Sequence, residues 1–303
     1  MKQILKNISP FNSRTEMPKA LFVIKKILAF FLCYIAGLFI AEGIVIILHL
    51  LLGKNMFEGE MFDAKTITLI TYYGYIVVAG VTIIYWKLIE KKPLSEMGIT
   101  KHFGSYFIGA GIGVFLLFIS VVAIVFTGAI EFYGIFENID WLMIFLLIGG
   151  FIIQGATEEI LCRGIVLHAL KEKTSLWIAV TVSTIVFILP HGPALFEGEI
   201  VYGMIGVSNL IFISIIFSML TIQCKSVWAA CGLHSFWNAI LYSVMGLNLS
   251  GSNETVTAVL NMQSLGCNIW NGGAYGIEAS IITGVVLFAA AVFICYLNKK
   301  KNR

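Results

Sequence analysis

The sequence predicts an all-α, polytopic membrane protein with eight transmembrane helices and both termini in the cytoplasm. Three observations predict this. First, 59% of the 303 residues are hydrophobic and only 12% are charged, whereas a soluble domain carries about 25% charged residues. So few charges do not cover a water-facing surface. Second, several apolar runs exceed the roughly 18 residues that mark a spanning helix. Lipid admits only helices or closed barrels, and these runs are too long and continuous for barrel strands. Third, the basic residues alternate regularly from loop to loop.

The first span, 21–52, follows Lys2, Lys6, Arg14 and Lys19 and contains Lys25 and Lys26. Its opening apolar run, 27–41, has the length of a signal-peptide core. It continues to Leu52 without a clear small-residue cleavage site, so it reads as an uncleaved helix. The second span, 66–88, leads into Lys87, Lys91, Lys92 and Lys101, with 92–99 reading as a cytoplasmic turn or interfacial helix. The third covers 105–128. The fourth, 141–170, and the first exceed the ~20 residues a bilayer requires, so they tilt or protrude. The fifth, 175–190, ends at Pro190, and Gly192 and Pro193 stop it from continuing past His191. The sixth covers 202–223 and is followed by Lys225. The seventh covers 227–247. An external loop, 248–274, carries Gly251, Ser252 and Asn253 and is partly ordered by its apolar residues. The eighth, 277–297, precedes Lys299, Lys300, Lys301 and Arg303.

With Arg163, Lys171 and Lys173 at the end of the fourth span, 18 of the 20 Lys and Arg residues fall on one side. The other side carries Lys54, Lys65 and the acids Glu58, Glu60, Asp63, Glu131, Glu137, Asp140, Glu197, Glu199 and Glu254. The positive-inside rule then makes both termini cytoplasmic, and an odd number of spans would scramble the alternation. The organisation reads as helices one to three in 1–140, a core in 141–247, and the external loop with helix eight in 248–303. The six cysteines form no C-x-x-C pair or Cys/His cluster, so neither a disulfide framework nor a zinc knuckle is indicated.

Against this apolar background Glu158 and Glu159 are an anomaly, because a charge at bilayer depth costs roughly 2.5–3.5 kcal/mol on insertion scales. Adjacent side chains on a helix point about 100° apart, so the two acids face different surroundings. Arg163 lies four residues after Glu159, the spacing at which side chains meet. Arg163 therefore neutralises Glu159 and leaves Glu158 free to face an interior cavity. Near Lys173 the chain turns. Glu158 precedes that turn by about as many residues as His191 follows it, so an antiparallel hairpin brings the two level at ~1.5 Å per residue. His234 and Asn238 share one face of the seventh span. Matching their height to Glu158 requires the hairpin of spans four and five to project roughly 10 Å into the cytoplasm, which puts the site toward the cytoplasmic leaflet. Each motif also has a plainer reading: an ion pair at a helix end, an interfacial histidine, an interhelical hydrogen bond worth about 0.6 kcal/mol. Glu42 and Glu278 are further acids without an obvious partner, Glu278 at the outer boundary.

Taken in order, Glu158-Glu159-x-x-x-Arg163, Phe187-x-x-x-His191 and His234-x-x-x-Asn238 resemble the CPBP family of intramembrane proteases. That family includes the type II CAAX prenyl endopeptidases and bacteriocin-immunity relatives. The resemblance covers about 141–247. It implies a catalytic set of Glu158, His191, His234 and Asn238, in which Glu158 activates the attacking water and His191 joins it in the cavity. His234 and Asn238 bind water or stabilise the oxyanion, and Glu159 with Arg163 supports the architecture. The family has been described both as metalloproteases and as glutamate-dependent proteases. His191, His234 and Glu158 would make a normal zinc set with an open position, although no His-Glu-x-x-His motif is present. The expected function is an intramembrane endopeptidase in the cell membrane, acting on a membrane-associated peptide or protein substrate, with the lipid bilayer and no nucleic acid as partner. The alternatives are a non-proteolytic immunity or scaffold protein on the same fold, or a transporter, against which the lack of an inverted repeat counts.

Overall fold

The computed structural model describes residues 5, 7–54, 58–251 and 257–301. Lys2, Lys6, Ser252, Asn253, Glu254 and Arg303 lie outside the described residues. The long helices follow the predicted order: α1 (Lys19–Leu51), α2 (Ala64–Glu90), α3 (Gly104–Val125), α4 (Trp141–Lys173), α5 (Leu176–Leu195), α6 (Ile200–Cys224), α7 (Trp228–Ala239) and α8 (Ile281–Lys301). Their starts follow from local chemistry. Asp63 accepts from the Thr66 amide, Asp140 from Met143 and Ser175 from Ile178, each capping an otherwise unpaired N–H of the first turn.

Among the described residues, seven of these helices are long and apolar enough to cross a membrane; α7 is the exception. It continues through a wider π-helical turn, Ile240–Val244, and is surrounded by α3, α4 and α6. Ala229, Ala230, Cys231 and Leu233 are fully buried, so α7 faces protein and not lipid. Large apolar side chains such as Phe126, Leu142, Phe145 and Phe293 are instead exposed on the perimeter. The molecule is thus a mostly helical, multi-pass membrane protein.

Two expectations are corrected, one boundary and the purely helical class. The eighth helix begins at Ile281 and not near 277, because the Ser280 hydroxyl accepts from the Ile282 and Thr283 amides and starts the helix there. Glu278 consequently sits in a short 3₁₀ turn, Ile277–Ala279, before the span. The chain is also not purely α. The segments β1 (Ile130–Ile135) and β2 (Leu260–Ser264) pair antiparallel, with Phe132 opposite Met262. They join the α3–α4 connection to the α7–α8 connection at the end away from the basic loops.

Small residues let the central helices touch backbone to backbone, as membrane helix interfaces require. A methyl group on Gly232 would collide with the Tyr106 carbonyl, and one on Gly109 with the Ala229 carbonyl. On Gly113 it would come within 2.7 Å of the Leu233 carbonyl oxygen. At the basic end, Lys26 and Glu90 form a buried ion pair of 2.8 Å between α1 and α2, and Tyr85 donates to Glu90 at 2.9 Å. Lys92 pairs with Glu172, and Lys173 with Glu16.

Overpacking a close contact costs about 1–3 kcal/mol, occasionally more. Gly232→Val is therefore expected to abolish a monodisperse folded protein in detergent. Gly111→Val, where no other group lies within 4 Å, is expected to leave elution and thermal unfolding unchanged. Size-exclusion chromatography with a thermal melt checks both.

Candidate functional site

Helix α4 supplies the centre of the site. It is regular up to Glu159 and then widens into a π-helix over Ile160–His168. Within this segment His168 Nδ1 lies 2.8 Å from the Arg163 carbonyl. Such π segments occur frequently at functional sites.

Glu159 is fully buried and committed to partners. Its Oε1 accepts from Arg163 Nη1 at 3.1 Å and lies 3.0 Å from His234 Nδ1. Arg163 is fully buried too. Its Nη2 donates to the carbonyl and the hydroxyl of Ser214 on α6, at 3.2 and 2.7 Å. Its guanidinium lies over the rings of Phe187 and Phe217, 4.8 and 4.9 Å from their centroids. The pair thereby ties α4, α5, α6 and α7 together. The predicted Glu159–Arg163 partnership is present, and the contact to His234 extends it.

Glu158 points elsewhere. Its Oε1 accepts from Gln154 Nε2 at 3.0 Å, and its Oε2 lies 3.9 Å from His234 Nε2. The Tyr75 hydroxyl on α2 also interacts with this carboxylate. Gln154 Oε1 in turn accepts from Asn238 Nδ2 at 3.2 Å. Among the described residues no Lys or Arg forms an ion pair with Glu158.

Both histidines are held in one tautomer. His191 Nδ1 lies 2.8 Å from the Phe187 carbonyl, which only accepts, so Nδ1 carries the hydrogen. His234 Nδ1 faces the Glu159 carboxylate and carries it likewise. In the neutral rings each Nε2 is left as an acceptor. His191 and Glu158 line one cavity of about 210 Å³, and His191, His234 and Asn238 line a smaller one beside it. Gln154, Phe187 and Ser250 are shared walls.

The zinc set that the resemblance implies, His191, His234 and Glu158, has only part of what an ion needs here. The tautomers suit metal ligation, but among the described residues no three His, Cys, Asp or Glu side chains gather as a metal site. His191, His234 and Glu158 in this structure do not fit an ion. From the segment between α7 and α8, Ser250 lines both cavities, Tyr275 the larger and Glu278 the smaller. His191 lies near the far end of α5, and the α7–α8 segment folds back over it.

Three participants were missed or left unpartnered in the sequence. Gln154 is a single polar residue among apolar ones, and its position four residues before Glu158 is the signal that marks it. Tyr75 comes from a different helix and has no local signal. Glu278 was noted, but Ser250, its partner, lies 28 residues away.

A multi-pass helical membrane protein with an acid, two oriented histidines and an asparagine around an internal cavity defines a class of intramembrane site. Residues 140–240, a third of the chain, match the family model described as Type II CAAX prenyl endopeptidase Rce1-like. The match contains Glu158, Glu159, Arg163, His191, His234 and Asn238, which carried the resemblance to the CPBP family. No curated protein and no solved structure matches the chain.

Removing one partner of a buried ion pair strands the other, at a cost of about 3–5 kcal/mol. Arg163→Met and Glu159→Gln are each expected to lower the midpoint of thermal unfolding in detergent strongly. The double variant is expected to recover part of the loss, because neither charge is then left alone. Differential scanning fluorimetry of the three variants measures it.

Proposed function

We propose that this protein is an intramembrane endopeptidase that hydrolyses a peptide bond of a membrane-associated substrate with Glu158 as the base. The observation that carries the reading is the separation of the two acids. Glu159 is neutralised by Arg163, whereas Glu158 faces the cavity with only neutral donors and His234 around it. A carboxylate in an ion pair is a poor base. One held by Gln154 and Tyr75 keeps its charge available.

The 3.9 Å gap between Glu158 Oε2 and His234 Nε2 accommodates a water bonded to both at about 2.8 Å. Glu158 takes one proton of that water while His234 Nε2 accepts from the other O–H. The oxygen attacks the peptide carbonyl, and the C–N bond breaks as Glu158 returns the proton to the leaving nitrogen. Asn238 has two amide hydrogens, one of which is engaged by Gln154. The second is available to the developing oxyanion. His191 Nε2 faces the same space and orients water or substrate.

In this reading the basic loops and both termini are cytoplasmic, α7 counts as the eighth membrane helix, and the protein resides in the cell membrane. The cavity then lies at mid-depth and extends toward the outer side. A substrate segment reaches it within the bilayer.

A positioned general base contributes about 10²–10⁴-fold to a rate. Glu158→Gln, His191→Ala and His234→Ala are each expected to lower cleavage of a membrane peptide by at least about 10²-fold while inserting and purifying like the wild type. Undiminished cleavage by Glu158→Gln would overturn the mechanism.

A further inference from the structure

The fold pairs its other buried acids with cations: Glu90 with Lys26 at 2.8 Å and Glu159 with Arg163 at 3.1 Å. Two acids, one on each of the adjoining cavities, have no such partner among the described residues. One is Glu158, whose role is proposed above. The other is Glu278, which that mechanism does not use. Its Oε2 accepts from both the amide and the hydroxyl of Ser250, at 2.7 and 2.9 Å. No hydrogen bond among the described residues reaches its Oε1, and the side chain lines the cavity with His191, His234 and Asn238.

The position is built rather than incidental. Asn209, buried on α6, donates to the carbonyls of Glu278 and Ser280 at 2.9 and 2.8 Å and fixes the turn that carries the acid. Ser250 adopts a left-handed backbone, φ 49°, which a non-glycine residue rarely adopts. In that conformation both its donors reach one carboxylate oxygen, and the other oxygen is left for the cavity. Burial pushes the Glu278 carboxyl above its usual range, against the opposing effect of the Ser250 donors and of His191 and His234. A cation arriving in the cavity would offset the same desolvation. Neither a Lys nor an Arg lines the cavity on any side, so nothing in the described wall complements a substrate anion.

Resting on the peptidase reading, we propose that Glu278, held by Ser250, is a specificity subsite that accepts a cationic group of the substrate, a Lys or Arg side chain or an α-ammonium, beside the scissile bond. The same wall disfavours a free C-terminal carboxylate at that end of the cavity. Such a subsite directs cleavage to a basic residue in an otherwise apolar membrane segment.

The test uses the full chain in proteoliposomes and a membrane peptide that the wild type cleaves, carrying Lys, norleucine or Glu in turn at each position flanking the cut. At one of these positions the wild type is expected to prefer Lys over norleucine by about 10-fold in kcat/KM, with Glu poorest. The preference falls to about 2-fold or less in Glu278→Gln and turns toward the Glu peptide in Glu278→Lys. A wild type indifferent to Lys at every position, or a preference undiminished in Glu278→Gln, overturns the proposal. Binding of the same peptides to Glu158→Gln, with and without Glu278→Gln, separates the two readings. Lys-selective binding lost in the double variant supports the subsite even where no peptide is cleaved, whereas binding without charge preference sinks it.

Discussion

A charge inside a membrane protein needs a countercharge or water, and the Glu159–Arg163 pair meets that demand at the centre of this molecule. Both side chains are fully buried, in surroundings where one left alone would be costly. The pair is not a local clasp on α4. Arg163 reaches Ser214 on α6 and lies against the rings of Phe187 on α5 and Phe217 on α6, while Glu159 holds His234 on α7. Four helices are registered on one ion pair. The tautomer of His234, the position of its Nε2 and the shape of the cavity all follow from that registration.

The pair can do this because the helices approach closely. Gly109 and Gly113 on α3 and Gly232 on α7 remove the side chains that would hold the two backbones apart. With no hydrophobic drive between helices in lipid, such contact and polar bonds supply the cohesion. Gly155 on α4 likewise meets the Ser235 backbone, so α7 is drawn against the turn of α4 that precedes the two acids. A short, enclosed α7 is the consequence, and it explains why this helix alone lacks the length of a span.

Much of this was legible in the sequence because it is local or countable. The eight apolar runs, the i, i+4 partnership of Glu159 with Arg163, and the facing of His234 and Asn238 follow from helical periodicity. Hairpin counting set Glu158 level with His191, and the two line one cavity. Lys92–Glu172 and Lys173–Glu16 contacts set the tip of that hairpin beside the α2–α3 connection and the segment before α1. What the sequence hid is long-range. No spacing links Ser250 to Glu278, Tyr75 to Glu158, or β1 to β2. Nor does counting reveal that the α7–α8 segment folds back onto the cavities. Gln154 was a different failure: a single polar residue in an apolar run is a signal, and its distance from Glu158 gives the partner.

The adjacency of two acids is itself the device. Consecutive positions on a helix diverge by about 100°, so one sequence step separates an acid that must be neutralised from one that must not be. Had Arg163 been placed to serve Glu158, the cation would have held the carboxylate in an ion pair and emptied it of basicity. Placed four residues after Glu159 it cannot, and Glu158 is left with Gln154, Tyr75 and His234. These neighbours restrain its orientation without a fixed cation. Gln154 adds one more constraint, since its amide binds Glu158 through nitrogen and Asn238 through oxygen. Rotation of the amide would break both bonds together, so Glu158 on α4 and Asn238 on α7 are held in register through Gln154.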